Sequence, residues 1–185
     1  MVPLTALWLP IVLSAVIVFV ASSIMHMVLP YHRNDYGQLP EEDKVLASMR
    51  AAGVKRGLYM FPFATPKEMK SPAVVEKFNQ GPVGMLTVLP NGPISMPKFL
   101  MMWFVFCLVI GYFVAYLTGR TLGPGTDYLR VFQVAGTAAF LGYGLGNLSN
   151  GIWRGQPWSV VFKEVIDGFI YGMLTAGTFG WLWPR

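Results

Sequence analysis

The sequence predicts an all-α integral membrane protein: a four-transmembrane-helix bundle with a small mixed extramembrane loop subdomain between the first and second spans. Three observations predict it. Hydrophobic residues make up 54% of the 185 and charged residues only 12%, against about a quarter charged in ordinary soluble domains. The charges are clustered, with nine of the 14 Lys and Arg falling between Arg33 and Lys98. Four apolar stretches reach about 20 residues, the length that covers a hydrocarbon core of about 30 Å, and Pro- and Gly-rich turns separate the later ones.

The first span, within residues 1–30, runs from Trp8 to Leu29. Pro10 sits in its first turn, where a missing N–H is harmless, and Pro30 ends it. No Lys or Arg precedes this apolar run and Pro10 interrupts it, so it reads as a retained span rather than a cleaved signal. Ser14, Val18, Ser22 and His26 share one helical face, which puts His26 about one turn inside the end.

Residues 31–97 form the extramembrane subdomain. Pro40 to Ala52 reads as a short helix, with Glu41, Glu42 and Asp43 in the first turn, Arg50 in the last and Gly53 as the stop. Gly57 to Ala64 looks extended. Thr65-Pro66-Lys67-Glu68 matches a capping box, and a helical pattern runs from Ser71-Pro72 to Phe78 before Gly81-Pro82. Val83 to Leu89 is strand-like, so a two-stranded sheet joining the Tyr59 and Leu86 regions is expected. The segment holds too few apolar residues for a robust core of its own. It is expected to lie on the bundle mouth or the membrane surface.

Residues 98–185 carry the second to fourth spans, Lys98–Thr118, Tyr128–Leu148 and Trp158–Trp183. Each has small residues at a spacing of four: Cys107, Gly111, Ala115 and Gly119; Ala138, Gly142 and Gly146, continued by Asn150; and Gly168, Gly172, Ala176 and Gly180, preceded by Glu164. Such rows let helix backbones approach closely in lipid, where no hydrophobic drive brings helices together. Trp8, Trp103, Trp153, Trp158, Trp181 and Trp183 lie near span ends, as interfacial belts do.

Four antiparallel spans put the end of the first, the start of the second, the end of the third and the start of the fourth on one side, the side of the long loop. His26, Asn147, Asn150, Arg154, Lys163, Glu164 and Asp167 belong to those ends, and His26, Asn147, Asn150, Arg154, Glu164 and Asp167 are the candidate binding residues. Ionisable groups in a span pair with one another or line a polar cavity. The plain alternative is a satisfied cap, in which Glu164 and Asp167 favour the helix N-terminus and Arg154 or Lys163 neutralises them. His26, Glu164 and Asp167 are the candidate ligands for a divalent metal, since residues three apart share a helix face. A copper site from Met25-His26-Met27 fits less well, because neighbours on a helix point about 100° apart. His32 reads as a solvated interfacial residue. The lone Cys107 offers neither a disulfide nor a thiolate metal motif.

No GxSxG, HExxH or phosphate loop is present. Two functions fit. The first is a binding or accessory component that packs with itself as a homo-oligomer or with a larger membrane complex. The alternative is a carrier or metal-dependent membrane enzyme built on His26, Glu164 and Asp167. The first is preferred because nothing catalytic is specific. The partner in either case is the lipid bilayer. Nucleic acid is not expected, since the net charge of +5 is gathered beside apolar spans without interleaved aromatics. The positive-inside bias favours a bacterial inner membrane with the long loop in the cytoplasm.

Overall fold

The computed structural model describes all residues from Met1 to Arg185. It is mostly helical, with helices α1 (Trp8–Ser23), α2 (Glu42–Ala51), α3 (Pro72–Gln80), α4 (Met96–Thr121), α5 (Tyr128–Tyr143), α6 (Leu148–Arg154) and α7 (Trp158–Trp181), and strands β1 (Gly57–Phe61) and β2 (Gly84–Val88). The chain divides into two compact units, Met1–Asp35 with Ser95–Arg185, and Tyr36–Ile94.

In the second unit, β1 and β2 pair antiparallel, with Tyr59 opposite Leu86. The Thr65–Glu68 box forms, Glu68 accepting from both the backbone N–H and the hydroxyl of Thr65 at 3.1 and 2.6 Å. Those bonds hold the Glu68 carboxyl below its ordinary value. The box closes a run of turns instead of starting a helix, and α3 begins only at Pro72. No residue of Tyr36–Ile94 is buried.

In the first unit the four long helices pack in a cycle: α1 against α4 and α7, and α5 against α4 and α7. The inward face of α1 is Ser14, Ala15, Val18 and Ser22, all buried. Its outward face exposes Val12, Val16 and Val20. On α4 the row Cys107, Gly111, Ala115 and Gly119 is buried. A Cβ on Gly111 would lie 3.2 Å from the Ile11 carbonyl, and one on Gly119 would lie 2.7 Å from the Val2 carbonyl. On α7, Gly168, Gly172 and Ala176 are buried against α5. A Cβ on Gly172 would stand 3.2 Å from the Phe140 nitrogen, and one on Gly168 would overlap the backbone of Tyr143 and Gly144.

Two expectations change. Only two helical stretches, Leu4–Val28 and Met96–Thr121, are long and apolar enough to cross a membrane by length and composition. That points to membrane association without establishing four spans. The third stretch falls short because α5 stops at Tyr143 and the chain continues as a 3-10 turn, Leu145–Asn147, and then α6. Gly142, Gly144 and Gly146 fall within five residues and have poor helix propensity, and Gly144 lies against Gly168. The buried row of α5 is Val131, Ala135, Ala139 and Tyr143, one residue round from the predicted Ala138, Gly142, Gly146 and Asn150. Gly142 still meets Ile110 of α4, but Gly146 has nothing within 4 Å of its Cβ position. Two tryptophans also turn inward: Trp183 is buried and donates to the Gly123 carbonyl at 2.9 Å, and Trp103 donates to Ser22 at 2.8 Å.

The α5–α7 contact has a direct check. Gly168→Ala forces a methyl into backbone that cannot yield, and a loss of about 1–3 kcal/mol is expected, the usual range for overpacking. Gly146→Ala is expected to change stability by less than about 0.5 kcal/mol. Reversible unfolding in detergent measures both.

Candidate functional site

The site begins with how α1 ends. Beyond Ser23 the helix widens into a π-helical turn, Ile24–Val28, closed by the Leu29 N–H on the Ile24 carbonyl at 3.1 Å. Such turns shift side-chain register and are frequent at functional sites. Pro30 cannot continue the ladder, and a 3-10 turn, Pro30–His32, takes the chain onward. His26 and His32 are thereby stacked, their ring centroids 4.2 Å apart and their planes 9° from parallel.

Both rings address α7. His32 Nε2 lies 2.8 Å from Asp167 Oδ2 and His26 Nε2 lies 3.8 Å from the same oxygen. The other ring nitrogens are also engaged. His26 Nδ1 is 3.1 Å from the Ser22 carbonyl, and His32 Nδ1 is 2.5 Å from Asp35 Oδ2. A carbonyl only accepts, so His26 Nδ1 carries the proton and donates, while His32 lies between two carboxylates, each of which only accepts. Asp35 in turn accepts from Lys163 Nζ at 2.5 Å, and that amine also donates to the Tyr31 carbonyl at 2.8 Å. The result is a hydrogen-bonded chain, Lys163–Asp35–His32–Asp167. Burial pushes the Asp35 carboxyl up, but the hydrogen bonds from Lys163 and His32, with their charges, outweigh it and hold Asp35 below the ordinary carboxylate value.

Beside this chain lies a cavity of about 660 Å³. Ser22, His26 and Met27 line it from the end of α1, Leu100, Trp103 and Phe106 from α4, Tyr143 and Asn147 from the end of α5, and Glu164, Asp167 and Tyr171 from α7. Trp103, Tyr143 and Tyr171 form an aromatic cluster with centroid separations of 5.8–6.3 Å. Ser22 ties two walls together, accepting from the Trp103 indole while donating to the Phe19 carbonyl at 2.9 Å. Three atoms on the lining residues are buried without a hydrogen-bond partner: Asp167 Oδ1, Glu164 Oε2 and the Tyr171 hydroxyl.

Of the residues predicted from the sequence, His26, Asn147, Glu164 and Asp167 line the cavity together. Asn147 also donates to the Tyr143 carbonyl at 3.2 Å, closing the end of α5. Asn150 and Arg154 do not join them, because the break at Gly144 places both in α6. Arg154 is exposed and neutralises neither acid, and Lys163 serves Asp35 instead. The predicted metal set also changes. Glu164 accepts from Gln156 at 2.8 Å, one turn before Asp167. The groups that converge are His26, His32 and Asp167, with ligand atoms within 4.8 Å of one another. His32 is not solvated: its side chain is only 11% exposed. Its signal was the pair His32 and Asp35, three apart just after a helix-ending proline. No family model matches the chain, and neither a curated protein nor a solved structure matches it.

The Lys163–Asp35 link is expected to support the site. Lys163→Met leaves the Asp35 carboxylate without its ammonium partner and is expected to cost about 1–3 kcal/mol, discounted for the part-exposed amine. In a double-mutant cycle with Asp35→Asn, unfolding in detergent should return a coupling energy of at least about 0.5 kcal/mol.

Proposed function

We propose that this chain is a four-span integral membrane protein that binds a small amphiphile in the cavity where its four long helices meet. The observation that carries the reading is the cavity itself. Met27, Leu100, Trp103 and Phe106 offer apolar wall, while Asn147, Glu164 and Asp167 supply polar groups. Ligand sites are typically apolar clefts of about this size with a few placed polar groups. The unpartnered oxygens of Glu164 and Asp167 are where a polar head would gain hydrogen bonds that the protein leaves unmade.

The outer surface supports a bilayer around all four helices. The outward side chains of α7 are Phe162, Ile166, Phe169 and Met173, each 43–55% exposed, and those of α4 include Met101, Val105, Phe113 and Leu117. The buried positions include Ser14, Ser22, Thr118, Thr175 and Thr178. Apolar outside with small and polar groups inside suits hydrocarbon; in water so large a patch would drive association. α7, at 24 residues, is about 36 Å long. Its charged residues lower its hydropathy, but Lys163 and Asp167 meet partners and Glu164 and Asp167 line the cavity, as intramembrane ionisable groups do. The nine Lys and Arg between Arg33 and Lys98 favour a cytoplasmic long loop.

Single cysteines in a Cys107→Ser background test the four spans with a membrane-impermeant maleimide. Ser71→Cys and Arg154→Cys are expected to stay unlabelled in intact cells, and Thr126→Cys and Arg185→Cys to label. Labelling of positions 126 and 154 from the same side would mean that α5 does not cross, and of positions 154 and 185 from the same side that α7 does not. The amphiphile is tested by mass spectrometry of the detergent-purified protein. A co-purifying amphiphile is expected and should be lost from Leu100→Trp, which fills the cavity, while thermal unfolding holds. A cavity-filled variant that keeps the same bound mass would defeat the binding reading.

A further inference from the structure

We propose that His26, His32 and Asp167 bind a divalent first-row transition-metal ion, with the two Nε2 atoms and an Asp167 carboxylate oxygen as ligands. The inference stands on this cluster alone and does not depend on what fills the rest of the cavity.

Ring placement carries the argument. His26 Nδ1 faces the Ser22 carbonyl and His32 Nδ1 faces Asp35, which turns both Nε2 atoms toward one Asp167 oxygen, 3.8 and 2.8 Å away. With the proton on Nδ1, each Nε2 offers a lone pair to a cation, and the carboxylate oxygen offers another. A proton on His32 Nε2 serves only the shorter contact and is displaced when a metal binds; at 3.8 Å His26 Nε2 makes no hydrogen bond to Asp167.

Geometry and charge agree with a bound metal. A metal about 2.1 Å from each ligand needs ligand atoms no more than about 4.2 Å apart. Both histidine–aspartate distances already meet this. The three ligand atoms lie within 4.8 Å of one another, and His26, with its side chain 49% exposed, has room for the small swing that remains. Lys163 pairs with Asp35, so the two acids at the cavity wall, Asp167 and Glu164, have no lysine or arginine partner and favour a cation. The outer shell is also built: metal-bound histidines nearly always donate their second N–H to a carbonyl or carboxylate, which orients the ring and raises its basicity. Two imidazoles and one carboxylate, with no thiolate, suit zinc, iron(II) and their neighbours rather than calcium or copper(I). Three protein ligands leave further positions on the ion open.

The chain has only two histidines, and both are in the cluster, so the wild-type protein reports on the site without substitution. Detergent-purified, EDTA-stripped protein labelled with 15N-histidine is titrated with Zn2+ in the absence of added lipid. One equivalent is expected to shift both Nε2 resonances, and Co2+ in its place is expected to give visible ligand-field bands at the same stoichiometry. Asp35→Asn, which replaces the carboxylate partner of His32 by a neutral amide, should weaken Zn2+ binding about 10–100-fold, and Asp167→Asn should abolish the cobalt bands. No saturable binding, a shift confined to one histidine, or full retention of binding in Asp167→Asn would overturn the site. Should a variant fail to fold, the wild-type histidine spectrum decides. The same titration in Leu100→Trp separates the two readings, since metal binding is expected to survive there when the amphiphile is lost.

Discussion

A buried carboxylate on a largely apolar helix has to be answered by its surroundings, and Asp167, only 3% exposed, is answered from one direction. Burying an unpaired charge is costly enough that the group pairs, finds an ion or loses its charge. Here two imidazoles from the end of α1 approach its Oδ2 while its Oδ1 stays without a partner. The widened turn at Ile24–Val28, the stop at Pro30 and the return through His32 are the backbone features that make this approach possible. Asp35 and Lys163 extend the same demand outward, so that the chain leaving α1 is tied to α7 by Lys163 Nζ on the Tyr31 carbonyl and on Asp35.

That arrangement rests on a second constraint, the close contact of α5 and α7. Glycines at positions 168 and 172 bring the two backbones together, and α5 gives way at Gly144 where that contact is tightest. The break turns the chain into α6 and ends the α5 ladder at Tyr143, whose carbonyl Asn147 caps. It also leaves space between the helices that the aromatic cluster of Trp103, Tyr143 and Tyr171 lines without filling. Close packing at one helix pair and a cavity beside it thus have a common origin. The buried row of α7 and the acid that begins the site are also neighbours on one helix, Asp167 next to Gly168, so that moving one moves the other.

The extent to which this was legible in the sequence follows from the kind of signal each feature leaves. Local chemistry was legible: the proline stop after α1, the pairing of the Tyr59 and Leu86 regions though not its register, the inward row Ser14, Val18 and Ser22, and the small residues of α4 and α7. The prominence of Asp167 and His26 was legible too, because an ionisable group in an apolar run is conspicuous. The end of the third helix is not legible, since a row of small residues at a spacing of four looks the same whether the helix continues or breaks. With three glycines in five residues, the intrinsic cost of helix and the contact with Gly168 decide, and only the second helix reveals that contact. The neighbouring row of Val131, Ala135, Ala139 and Tyr143 has less compositional contrast and does not stand out in the sequence.

The sequence by itself determined an apolar, mostly helical chain, a polar segment between its first two long apolar helices, and the acids and histidines that stand out against that background. These depend on composition and on interactions within a few residues, which the order of residues displays directly. Tertiary structure alone decided that His32, and not Glu164, joins His26 at Asp167. That pairing spans 135 positions and turns on the direction in which a 3-10 turn after Pro30 points a ring, and on Gln156 being in reach to occupy Glu164. A change of one residue in helical phase rotates a side chain by about 100°. Which polar groups meet is therefore set by packing and by where helices break, and spacing along the chain cannot supply it.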